Sequence, residues 1–149
     1  MSGPRETLPS PAKKDTLAPD TEAALDRVMS IEGAIACALV DHRAGMVLGT
    51  RSAGEAFDIE LVAGAKSELI RIEMATSRAL GLDARLEDML TILEAQYHLI
   101  RPLPCSDSKF LYLVIDRARG NLALARHHLV AIERSWCPEP DDPPRSRSA

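Results

Sequence analysis

FDIELVAGAKSELIRIEMATSRALGL, residues 57–82, reads as one long helix, and the rest of the chain is arranged around it. Asp58 is a good N-cap, its carboxylate able to accept from the free amides of the first turn. Phe57, just before it, can staple onto Val62. Gly81 suits the left-handed residue that closes a helix. The body over residues 59–80 is then about 33 Å long at about 1.5 Å per residue. A strand of six or seven residues spans only about 20 Å.

At about 100° per residue, Leu61, Val62, Ala65, Leu69, Ile72, Ala79 and Leu80 form one broad apolar face. Ile59, Ala63, Ile70 and Met74 form a second, narrower stripe, with Lys66 and Glu73 between the two. Glu60, Ser67, Glu68, Arg71 and Arg78 occupy the far side. The broad face is expected to dock on the chain's own sheet. The narrow stripe then asks for a further cover, either another element of this chain or a partner.

A chain of 149 residues allows one domain of ordinary size. Residues 1–19 hold four prolines and no apolar periodicity, and the last twelve residues hold four more. Both ends read as disordered tails, 1–19 and 137–149, around a folded domain over 20–136. Net charge is −4, and only five aromatics are present, so stacking on nucleic acid is not expected. The longest apolar run, residues 34–40, is too short to span a bilayer, and no signal-peptide core opens the chain. Three widely spaced cysteines, Cys37, Cys105 and Cys137, point to a reducing, cytoplasmic compartment, with Cys37 in the core and Cys105 exposed in a loop. Arginine outnumbers lysine 14 to 4, which fits a GC-rich bacterial genome.

In chain order, Asp20 or Thr21 caps a first helix carrying Leu25, Val28 and Met29. AIACALVD (34–41) and MVLGT (46–50) form a hairpin in which Gly45 supplies a positive φ. After the long helix come strands over 85–94, 97–103 and 110–117, and Asn121 caps a last helix. The order α-β-β-α-β-β-β-α defines an α+β fold. Its five-stranded, mostly antiparallel sheet is sandwiched between the long helix on one face and the two terminal helices on the other.

The pieces EGAIACALVDHRAGMVLGT, the helix end LGL, ILEAQYHLIRPL and FLYLVIDRARGNLALARHHL together resemble the roadblock family of dynein light chains, a profilin-like fold common as single-domain bacterial proteins. The LIRPL strand and the Asn-Leu start of the final helix carry most of the likeness, which covers about residues 21–134. The resemblance implies a homodimer, or a heterodimer with another roadblock protein, in which third strands pair edge to edge and long helices lie side by side. The interface it implies is Ile59, Ala63, Lys66, Ile70, Glu73 and Met74 of the helix with Glu87, Met89, Thr91 and Leu93 of the strand. It also implies a Ras-like small GTPase as partner, regulated by activation or by scaffolding. Glu60, Ser67, Glu68, Arg71 and Arg78 would form the outward partner surface.

The chain is not itself the GTPase, since no GxxxxGK[ST] loop is present. His127 and His128 are adjacent on a helix, whereas a metal pair wants i, i+4 spacing, so they read as a solvated face. His98 reads as a satisfied edge-strand residue, and His42 as a loop residue without a nucleophile. Glu87, Asp88 and Glu94 read as charges protecting a sheet edge. Arg43, Arg51, Arg71 and Arg78 are candidates for an inserted activating arginine, and nothing singles one out. No enzyme chemistry, metal or cofactor is expected. The competing reading is a small-ligand sensor of the PAS or GAF type, which needs a pocket with convergent polar groups.

Overall fold

The computed structural model describes residues 20–54 and 58–137. The terminal segments 1–19 and 138–149, and the Phe57 staple, lie outside the described residues. The elements follow the expected order: α1 (Thr21–Met29), β1 (Ala34–Asp41), β2 (Met46–Ser52), α2 (Ile59–Ala79), β3 (Met89–Ile92), β4 (Gln96–Pro102), β5 (Lys109–Asp116) and α3 (Leu122–Trp136). The caps are those read from sequence. Asp20, Asp58 and Asn121 each accept a bond from an amide in the first turn of their helices. Gly81, at φ +70°, ends α2, with Gly81 N–H donating to Arg78 O and Leu82 N–H to Ser77 O. This double closure satisfies carbonyls the helix leaves free.

The sheet runs β2-β1-β5-β4-β3, with every neighbouring pair antiparallel. β1 and β5 lie in the middle and are buried almost throughout. Burial on both faces requires a helix layer on each side. Below the sheet, α1 and α3 pack through Leu25, Val28, Leu129 and Trp136 onto Leu39, Leu99 and Leu113. Above it, α2 packs through Ala63 and Ile70 onto Val40, Phe110, Tyr112 and Val114. Arg51 on β2 ties α1 in place through Asp26 at 2.7 Å and through Glu22.

Three expectations are corrected here. The third strand is only four residues long. Glu87 precedes it and Glu94 follows it, while Asp88 turns inward into a buried ion cluster. In that cluster Asp88 meets Arg126 at 2.7 Å and Arg101 at 3.5 Å, and Arg101 meets Glu133 at 3.0 Å. Asp88 therefore helps hold β4 to α3 and is not an edge guard. His98 is likewise not at an edge, because β4 lies between β5 and β3. The third correction concerns the cysteines. Cys105, in the β4–β5 loop, is disulfide-bonded to Cys137 at the end of α3, 32 residues away. The fold brings the two together, so the pair no longer argues for a reducing compartment. Cys37 is the small core residue expected, fully buried with its thiol directed at Leu25 O.

Candidate functional site: the two faces of the long helix

The two stripes of α2 are used in the opposite sense from the sequence expectation. Ala63 and Ile70 are 3 % and 0 % exposed, and Ile59, Lys66, Glu73 and Met74 are half-buried along the same side. The narrow stripe is therefore the one that docks on the chain's own sheet. The broad face points away from it, except for Val62, which is half-buried against the same core. Leu61 is 70 % exposed, Ile72 61 %, Leu80 69 % and Leu69 41 %.

The physical reason lies in side-chain size and in what the neighbours can do with their polar groups. Ala63 lets the helix axis approach the sheet. Ser67, expected on the outward surface, is 1 % exposed, and its hydroxyl is satisfied by Ala63 O at 2.7 Å within the helix. Lys66 lays its stem on the sheet and carries its ammonium 5.9 Å from the Tyr112 ring centre. Burial pushes the Lys66 pKa down.

Beneath Lys66, Tyr112 and His98 form a satisfied polar pair. Tyr112 Oη lies 2.5 Å from His98 Nδ1, and His98 Nε2 lies 2.9 Å from Gln96 Oε1. Because the Gln96 oxygen only accepts, Nε2 carries the proton and the Tyr112 hydroxyl donates to Nδ1. Desolvation, reinforced by the Lys66 charge, lowers the His98 pKa, and burial raises that of Tyr112 to about 12. Both groups are thus neutral and structural at neutral pH.

Of the residues expected on the outward partner surface, Glu68, Arg71 and Arg78 are exposed or nearly so, and the Glu60 side chain lies outside the described residues. Arg71 is held within the chain. It pairs with Glu68 at 2.5 Å, and its Nε donates to His42 O at 3.1 Å. Of the residues expected on the third strand, Glu87, Thr91 and Leu93 are exposed, the first and last lying outside β3, while Met89 is half-buried against the α2 side of the core. Among the described residues β3 pairs only with β4, so its other edge keeps its backbone groups free of sheet partners. Among the described residues, no group of three His, Cys, Asp or Glu is placed to hold a metal, and no helix is long and apolar enough to cross a membrane. His127 and His128 are exposed on α3, as a solvated face would be.

Three helices and an antiparallel sheet in this order, with one long helix alone on one face, define a roadblock-like fold. Solved structures of that class superpose on the chain. The gliding protein MglB from Thermus thermophilus matches with a TM-score of 0.67 at 18 % identity, covering 78 % of this chain and 84 % of that one. An MglB with tetrameric arrangement matches with the same TM-score, identity and coverage. A Roadblock/LC7 domain from Streptomyces avermitilis matches with a TM-score of 0.66 at 12 % identity, covering 78 % and 93 %. No family model matches the chain, and no curated protein does.

Proposed function

We propose that this chain is a non-enzymatic roadblock protein that dimerises through the outward face of α2 and, as a dimer, binds and regulates a Ras-like small GTPase in bacterial signalling. The observation that carries the dimer is the stripe of Leu61, Leu69, Ile72 and Leu80 left exposed on α2. A contiguous row of large apolar side chains in water marks an association surface. A two-fold axis beside α2 would set this row against its own copy. It would also bring up the open edge of β3, with Met89 and Thr91, and Leu93 just after it. The MglB with tetrameric arrangement supports self-association of this fold.

The GTPase reading rests on the family resemblance together with the polar flank of α2. Glu68 and Arg78 lie beside the apolar row and are of mixed sign, which fits a regulated contact better than an obligate one. A GTPase switch region is ordered by the γ-phosphate, so a partner that reads it binds the GTP state more tightly. Titration calorimetry against Ras-like GTPases of the same organism, in both nucleotide states, tests this. At least about tenfold preference for GTP over GDP is expected, a coupling of about 1.4 kcal/mol. Exchanging the charges with Glu68→Lys and Arg78→Glu should weaken binding while the dimer persists. Equal affinity in the two states would reduce the role to scaffolding, and no binding would favour the ligand-sensing reading.

A further inference from the structure

A cleft of about 670 Å³ opens where four segments meet: the β1–β2 hairpin, the C-terminal half of α2, the stretch before β3 and the β4–β5 loop. Each of the first three segments contributes arginine: Arg43 from the hairpin, Arg71 and Arg78 from α2, and Arg85 from the stretch after it. Among the described residues Asp107 is the one carboxylate in the lining, against four arginines. Arg71 is already engaged with Glu68 and His42 O. Among the described residues, Arg43, Arg78 and Arg85 have no salt-bridge partner. The negative end of the α2 dipole accounts for Arg78 in the last turn, but not for Arg43 or Arg85, which come from other segments.

A second observation points to a ligand. His42 lines the same cleft beside the Asp107 backbone and is only 6 % exposed, and among the described residues its Nδ1 has no hydrogen-bond partner. A buried polar nitrogen left unpaired is costly, and native structures seldom leave one without reason. Around it lie Met74, Leu86 and Leu103, which give the cleft an apolar wall. The volume is that of a small-molecule site, for which about 300–1,000 Å³ is usual.

We propose that this cleft binds a soluble phosphate ester of nucleotide type, its phosphoryl oxygens held by Arg43, Arg78 and Arg85, and its flat body laid on Met74 and Leu86 beside His42. The planar guanidinium fork matches phosphate oxygens in pairs. Three unpaired cations call for more charge than a single carboxylate supplies. An extended nucleic acid is disfavoured, because the chain as a whole carries −4 and the arginines are confined to one cleft.

The test is titration calorimetry of the full chain with ATP, inorganic pyrophosphate and citrate, plus phosphoinositide-containing vesicles. ATP and pyrophosphate should bind, with citrate at least tenfold weaker. Arg43→Glu with Arg85→Glu should cost at least tenfold, and the neutral pair Arg43→Gln with Arg85→Gln should cost a smaller factor. Arg134→Glu, on α3 outside the cleft, should change nothing. Pyrophosphate should also shift the His42 ring nitrogens in a ¹H–¹⁵N correlation spectrum. No binding of either phosphate, equal binding of citrate, affinity untouched by the arginine pairs, or binding only to vesicles would each overturn the proposal. The readout is independent of any GTPase, so its failure leaves the dimer and GTPase reading where it stood.

Discussion

Ile70 and Ile72 stand two residues apart on one helix and face opposite ways, the first 0 % and the second 61 % exposed. Their roles in stability should differ accordingly. In urea unfolding at high dilution, Ile70→Ala should cost about 2–5 kcal/mol, the range for a buried aliphatic truncation. Ile72→Ala should stay within about 0.5 kcal/mol, as for a surface change. Equal losses would mean that the helix is rotated from the orientation described.

The ion cluster of Asp88, Arg101 and Glu133 is largely shielded from water, with the Arg101 and Glu133 side chains 11 % and 10 % exposed. Arg101→Met leaves Glu133 buried without its cation and should cost about 3–5 kcal/mol. Adding Glu133→Leu should recover a large part of that loss, because the double variant strands no charge there. Denaturant titration of both single variants and the double one measures the coupling. Simple additivity would contradict the account.

The disulfide between Cys105 and Cys137 fastens the β4–β5 loop to the end of α3. Cys137→Ser should lower stability by about 2–4 kcal/mol, chiefly by freeing the unfolded chain. Dithiothreitol should lower the melting temperature of the wild type to about that of Cys137→Ser and leave the Cys137→Ser variant, made together with Cys105→Ser, unchanged. A reductant effect on that double variant would place the sensitivity elsewhere.

Acid should destabilise the fold through its buried imidazoles. His98 and His42 are both held below their ordinary pKa of 6.5. Burial is the main cause, aided by Lys66 at His98 and by Arg43 and Arg71 at His42, while Asp41 and the Asp107 backbone oppose it at His42. Above pH 6.5 both states keep these rings neutral, and the contribution is flat. As pH falls below 6.5 the unfolded chain takes up protons that the folded chain resists, so stability declines. Melting temperature followed from pH 7 to about 5 should fall, and the slope should be shallower in His98→Gln. An unchanged slope would remove His98 from the explanation.

Much of the architecture was legible because local chemistry decides it. Asp58 and Gly81 bound α2, Gly45 turns the hairpin at φ +65°, and Asn121 starts α3, each through a cap or backbone requirement carried by one residue. The sense of the two stripes on α2 was not legible, since periodicity counts apolar side chains without saying which of two surfaces receives them. The wider row of Leu61, Leu69 and Ile72 faces out. Ala63, Ser67 and Lys66 fit beneath the helix through small size, a bond within the helix and an ammonium over Tyr112. The pairing of Cys105 with Cys137 was hidden for a different reason. It depends on where a loop and a helix end meet after folding, 32 residues apart. The basic cleft was hidden in the same way: Arg43, Arg78 and Arg85 belong to three segments that nothing in their spacing connects.

Dimerisation through the outward row of α2 is the claim on which the functional reading stands. Sedimentation velocity at tens of micromolar tests it directly on the wild type and on Leu61→Glu with Ile72→Glu. The wild type should sediment as a dimer. The double variant should sediment as a monomer with an unchanged circular dichroism spectrum, since both side chains lie outside the subunit's own core. A monomeric wild type, or a dimer that survives both charges, would contradict the account.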